Sequence, residues 1–217
     1  MTTIVGRNCK VEVALTLGTA VTGGATAVTK ASPGVVTDAA HGLLDGAAGF
    51  WTITSGMVEL DQQAFLVDNK ATDSFEMPGF ETTNYSTFVG ADSTYTMAAT
   101  WGTLSEAAGY AVGGGAANQL DDTRLLDTKT RNVAGLLAPQ DVSIDVKSGE
   151  VDGAAMAFIA TKARAAEACL FKISKGAQVL RVFYGVPSLP GESATAGQLA
   201  TGQFSVTVPG WVVKPNV

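Results

Sequence analysis

The chain is poor in the residues that most often carry out chemistry. It holds a single histidine, His41, in 217 residues. That nearly excludes a His-based triad or a His-rich metal centre. His41 lies before a turn in AAHGLLDG and reads as a structural residue. Two cysteines, Cys9 and Cys169, are too few for a disulfide framework. Cys169 sits in the apolar run 168–173, so a buried thiol is expected, kept reduced if the chain is made in a bacterial cytoplasm. No CxxC and no EF-hand spacing occurs, and Gly113-Gly114-Gly115 is not followed by the Gly-Lys-Ser/Thr of a phosphate loop. No catalytic residue, metal or cofactor is therefore expected, and the chain reads as a non-enzyme. No apolar run approaches the roughly 20 residues that span a bilayer. The first residues lack a basic stretch followed by an apolar core, so neither membrane nor secretory leader is expected.

Charge is scarce too, and unevenly placed. Charged residues make up 16% of the chain against 46% hydrophobic, and the net charge is −6. Between positions 25 and 90 stand eight acids and two bases, which alone gives −6. The other twelve acids and twelve bases cancel. There is no basic cluster with interleaved aromatics, which argues against tight nucleic-acid binding. The apolar fraction is ample for a packed core and excludes a disordered chain.

What is present is alternation. Val11, Val13, Leu15 and Leu17 alternate with polar or small residues over 10–17, the period of a half-buried strand. Residues 18–25 (GTAVTGGA) form a Gly-rich link. From about 27 to 90, turn signals at Pro33-Gly34, Asp45-Gly46, Ser55-Gly56 and Pro78-Gly79 divide short strands. The pairs Trp51/Ile53, Phe65/Val67 and Phe75/Met77 supply a small core. Residues 94–100 are expected to return and pair with 10–17. A helix is expected over 150–166, with Ser148 as N-cap and Val151, Ala155, Phe158, Ile159 and Lys162 along its buried stripe. Strands follow at 168–174 and 178–186. In a last strand region over 199–213, Phe204, Val206 and Val208 face inward, and Trp211 is expected to cap the core.

The segment 118–146, NQLDDTRLLDTKTRNVAGLLAPQDVSIDV, opens as a charge-dense arm and ends in strict alternation. Val142, Ile144 and Val146 fall on one face, Ser143, Asp145 and Lys147 on the other. An arm of about 20 residues without a core of its own is unusual and points to function or contact with another chain. Asp121, Asp122, Asp127, Arg124, Lys129 and Arg131 are the candidate contact residues. Asp121 and Asp122 are neighbours on an extended segment and point apart, which disfavours a shared acid–base or cation site.

The order of charged arm, alternating strand, short helix and two closing strands, over 1–20 and 93–217, resembles the tail tube (major tail) proteins of long-tailed bacteriophages. The pieces PGVVTDAAHGL, ITSGMVELDQQAFLV and DSFEM…NYSTF within 27–90 resemble a small all-β module, called FCCH-like, found in phage virion proteins. The expected class is mainly β. A tail-tube-type sandwich or barrel-forming domain (1–24 and 91–217) would carry one flanking helix, a small all-β insert (25–90) and a charged assembly arm (115–135). The resemblance implies a structural subunit of the virion tail, made and assembled in the host cytoplasm. It implies stacked, hexameric rings around a lumen that passes DNA without binding it tightly. It further implies contacts with itself and with tail terminator, tail tip and tape measure proteins. Asp141 and Asp145 are candidates to line the lumen. A different reading makes the insert a module for host glycans, with Trp51, Tyr85 and Phe88 as stacking surfaces.

Overall fold

Alternation becomes strand wherever the sequence carries it. The computed structural model describes residues 9–22, 24–104, 107–126, 128–147, 153–196 and 199–215. In chain order the strands are β1 (Cys9–Leu17), β2 (Val21–Thr22), β3 (Ala25–Val28), β4 (Gly34–Asp38), β5 (Ala48–Ile53), β6 (Ala64–Leu66), β7 (Ser74–Met77) and β8 (Ser93–Leu104). Then come β9 (Ala107–Val112), β10 (Ala117–Asp121), β11 (Asn132–Leu137), β12 (Gln140–Lys147), helix α1 (Ala154–Ala165), β13 (Cys169–Lys175), β14 (Gln178–Pro187), β15 (Gly191–Ser193) and β16 (Thr201–Val208). The protein is mainly β, with large antiparallel sheets and one flanking helix.

The main sheet runs β6-β5-β8-β1-β13-β14-β16-β12-β9. Strands β14 and β16 share only the pairs Val186↔Thr207 and Pro187↔Val206, so the sheet turns a corner there. Beyond the corner the two halves enclose one core. Val11, Val13, Phe171 and Phe183 come from one half, and Val142, Ile144, Phe204 and Val206 from the other. Phe171 stacks on Phe183 at 5.3 Å between ring centroids and leans on Phe204 at 6.4 Å. As expected, Val142, Ile144 and Val146 are buried while Asp141 and Asp145 are exposed.

Helix α1 flanks this core, but shorter and rotated relative to expectation. It starts at Ala154 behind Gly153, which makes no side-chain cap. The expected cap Ser148 and stripe residue Val151 lie outside the described residues. Its buried residues are Ala155, Met156 and Ile159, while Phe158 is half-buried with the Lys162 ammonium 5.6 Å from its ring centroid. Phe158 packs against the same core from its edge, beside buried Met156. The helix ends at Ala166, whose φ of 53° is left-handed.

Residues 25–90 build a second core on the outer side of the main sheet. Strands β3-β4-β7 form a three-stranded sheet. Trp51 and Phe75 each pack against Phe65 and Tyr95, and Phe65 against Tyr95, with ring centroids 5.3–6.4 Å apart. The Tyr95 hydroxyl donates to the buried Asp38 carboxylate. Strand β8 belongs to both cores. Its residues Ser93 to Met97 pair with β5, and Ala98 to Leu104 pair with β1, so of the expected partners 94–100 only 98–100 meet β1 and the pairing runs on to Leu104. Through β8, strands β5 and β6 continue the main sheet. They also fold over it: Ala48, Ala64 and Leu66 pack on Ala14, Leu170 and Val182. Phe50 stacks on Tyr184 at 4.1 Å. The last described segment ties the cores together. Val213 pairs with Val182 yet packs in the Trp51 core. Trp211 does not cap the core as expected. It is half exposed, and its backbone amide donates to Gln63 Oε1 instead.

Candidate assembly surfaces

Two features stand out from the packed body: a projecting ribbon and an open polar sheet face. The ribbon grows from the sheet's terminal pair. Strands β9 and β12 pair from Ala107↔Val146 to Val112↔Val142. The backbone ladder then continues through Gly113 N–H to Asp141 O and Ala138 N–H to Ala116 O. Strands β10 and β11 carry it on from Ala117↔Leu137 to Asp121↔Asn132. The expected extended arm is thus the outer half of one long two-stranded ribbon. Gly115 is required at its waist, because a Cβ there would lie 2.1 Å from Ala138 O. From Val112 to Asp121 the ribbon advances roughly 30 Å at the usual strand rise.

The ribbon buries nothing. No described residue of β10 or β11 is buried. Asp121 bends the tip: its carboxylate accepts from the Thr123 amide at 2.8 Å and from the Thr123 hydroxyl. These donors hold the Asp121 carboxyl below its ordinary range. Asp122 pairs with Arg131 within the ribbon at 3.5 Å. The adjacent acids therefore have separate partners and do not converge. Arg124 and Lys129 are exposed, and Asp127 lies outside the described residues. The residues that sequence reasoning passed over are aliphatic. Leu120, Leu125, Leu126, Val133, Leu136 and Leu137 are all exposed, with Leu125 and Leu126 at the tip 103% and 94% accessible. The Leu-Leu pair was visible in TRLLDTK, but the flanking charges Arg124, Asp127 and Lys129 masked it in any averaged hydropathy.

The polar face belongs to β12 and its neighbours. Asp141 and Thr207 are register partners, joined by the Thr207 hydroxyl donating to Asp141 Oδ1 at 2.8 Å. Asp145 opposes Gln203 and accepts its side-chain amide at 2.8 Å. Ser143 opposes Ser205, whose amide donates to Ser188 Oγ at 2.9 Å. Both expected lumen residues therefore share one exposed face with short polar groups. A shallow groove of about 590 Å³ runs across it beside Asp145, Lys147, Glu192 and Gln203. The acids Asp141, Asp145 and Glu192 outnumber Lys147, so the face is acidic.

The remaining candidates resolve simply. His41 accepts from the Leu43 amide at Nδ1 (3.0 Å), and Nε2–H donates to Ser74 O (3.2 Å). Both nitrogens thus serve the turn. Among the described residues no group of three or more His, Cys, Asp or Glu side chains could hold a metal ion. No helix among them is long and apolar enough to cross a membrane. Of the insert's aromatics, Trp51 is fully buried, and Tyr85 and Phe88 are half-buried against the same core. No family model matches the chain, and no curated protein matches it.

Proposed function

We propose that this chain is a structural subunit of a phage tail tube. Copies would close into hexameric rings, and rings would stack around a lumen that passes viral DNA. The observation that carries the reading is the sheet's asymmetry. Its inner face is a complete apolar core, its outer face at β12 and β16 is short, polar and acidic, and its end strand β9 keeps one edge without a partner among the described residues. A free edge is a template for another chain, and cyclic symmetry lets every copy satisfy its neighbour. An acidic polar face is suited to a conduit for a polyanion, because it offers few cations for phosphate to displace counterions from. Tail terminator, tail tip and tape measure proteins would then meet the two ends and the lumen. The test is electron microscopy of the purified protein across rising concentration. Stacked rings with an open centre are expected, and a monomer at every concentration would defeat the reading.

A further inference from the structure

We propose that a cleft between the insert and the strap 209–215 is a binding site for a neutral sugar ring, such as one hexose unit of a surface polysaccharide. The inference is independent of the tube reading, because the cleft lies within one chain. It also differs from the glycan surface expected on the insert alone, whose Trp51 is fully buried. The cleft holds about 320 Å³, which falls within the roughly 300–1,000 Å³ of small-ligand sites. Trp211 and Tyr85 supply its accessible aromatic surface, and Glu81 and Lys214 its charged groups. Trp211 is 48% accessible although its backbone is fixed. Its amide donates to Gln63 Oε1 at 3.0 Å, and the Val212 amide donates to Gln140 Oε1 at 2.8 Å. Val213 exchanges both backbone hydrogen bonds with Val182. On the insert's side, the Tyr85 amide donates to Thr82 O and the Ser86 amide to Glu59 Oε1. Both walls are thus held in place before any ligand arrives, which lowers the entropy cost of binding.

The polar groups select the class of ligand. Glu81 and Lys214 are exposed, and neither has a hydrogen bond or ion pair among the described residues. They line one cleft without pairing with each other. A simple cation would suit Glu81 and be repelled by Lys214, and a simple anion would meet the reverse. A carboxylate only accepts hydrogen bonds, an ammonium only donates them, and the Tyr85 phenol does both. Burial, with the charges of Glu59 and Glu81, pushes that phenol up, so it keeps its proton. A ring of hydroxyls, each donor and acceptor, satisfies all three groups while its C–H face lies on the indole. An extended peptide is disfavoured, because Val213 has already committed its backbone donor and acceptor to Val182.

The experiment titrates the whole chain with free glucose, galactose and N-acetylglucosamine, read by tryptophan fluorescence. The same chain is applied to an array of neutral and acidic oligosaccharides. Trp51 is buried, so Trp211 is the accessible reporter in the cleft. At least one neutral sugar should bind, weakly as a single ring and more tightly as an oligomer. Trp211→Ala should weaken binding roughly tenfold or more and still melt within a few degrees of the parent. Glu81→Ala/Lys214→Ala removes two exposed, unpaired groups, so it should fold like the parent and also weaken binding. Trp101→Phe, on β8, should bind like the parent. No neutral sugar bound, in solution or on the array, would overturn the proposal. Unchanged affinity in both cleft variants would overturn it too, as would binding of a zwitterion such as phosphocholine in preference to every neutral sugar.

Discussion

Cys169 shows how one buried atom makes stability depend on pH. Its thiol packs among Phe171, Phe183 and Ile159 in the main core. Burial pushes the thiol from an ordinary value of 9.0 up to about 11, with Lys162 pulling the other way. In the unfolded chain it ionises near 9, while the fold keeps the proton to about 11. Unfolding thus releases a proton above the lower value, so stability is complete below it and falls as pH rises through that window. The Tyr95 hydroxyl is also raised, by burial and by its hydrogen bond to Asp38, and acts in the same direction. Melting temperature should therefore drop on going from pH 8 to pH 11, and drop less in Cys169→Ala. At neutral pH Cys169 should resist alkylation in the folded protein and react once denatured. Rapid alkylation without denaturant would contradict its burial. The burial itself was legible in sequence, because Cys169 stands in the apolar stretch Ala168–Phe171.

Elements were legible where their period was clean. Strands β1, β12, β13, β14 and β16 follow from alternation or from apolar runs bounded by turns, and each formed. Strand β9 did not announce itself. AAGYAV has only small side chains around Tyr110, and what makes it a strand is the neighbouring ladder of β12. The arm was misjudged for the reverse reason: its charges suggested an extended, solvated segment, while the backbone pairing of Leu120 with Val133 makes it a hairpin. In the helix the boundary and rotation were wrong, because Phe158 looked like the better anchor than Met156. The two can be told apart by substitution. Ile159→Ala removes a fully buried side chain and should cost about 2–5 kcal/mol, whereas Phe158→Ala should cost less, since that ring is only partly buried at the core's edge. Urea melts of both variants give the comparison. Equal or reversed losses would restore Phe158 as the anchor and undo the observed rotation.

At the scale of the molecule, charge and packing separate the surfaces. The insert region carries the whole formal −6, and β5 and β6 place it over the outer side of the β1-β13-β14 layer. Its acids therefore have no bearing on the face formed by β12 and β16, which is acidic through Asp141, Asp145 and Glu192 alone. Both aspartates accept hydrogen bonds from neutral neighbours, Thr207 and Gln203. If this face lines a lumen, DNA should slide along it without finding a phosphate site. Wild-type tubes are then expected to bind a short duplex no tighter than millimolar even at low salt, because few counterions are available to be released. Asp141→Lys/Asp145→Lys reverses the sign at two positions that would repeat around every ring of the proposed tube. Both side chains are exposed and on the strand face away from the core, so the subunit should still fold and assemble. Its tubes should gain duplex binding that weakens steeply with added salt. Fluorescence anisotropy of labelled duplex against both tubes across a salt series makes the comparison. Micromolar binding by the wild type, or salt-independent binding by the variant, would mean that DNA meets some other surface of the assembly.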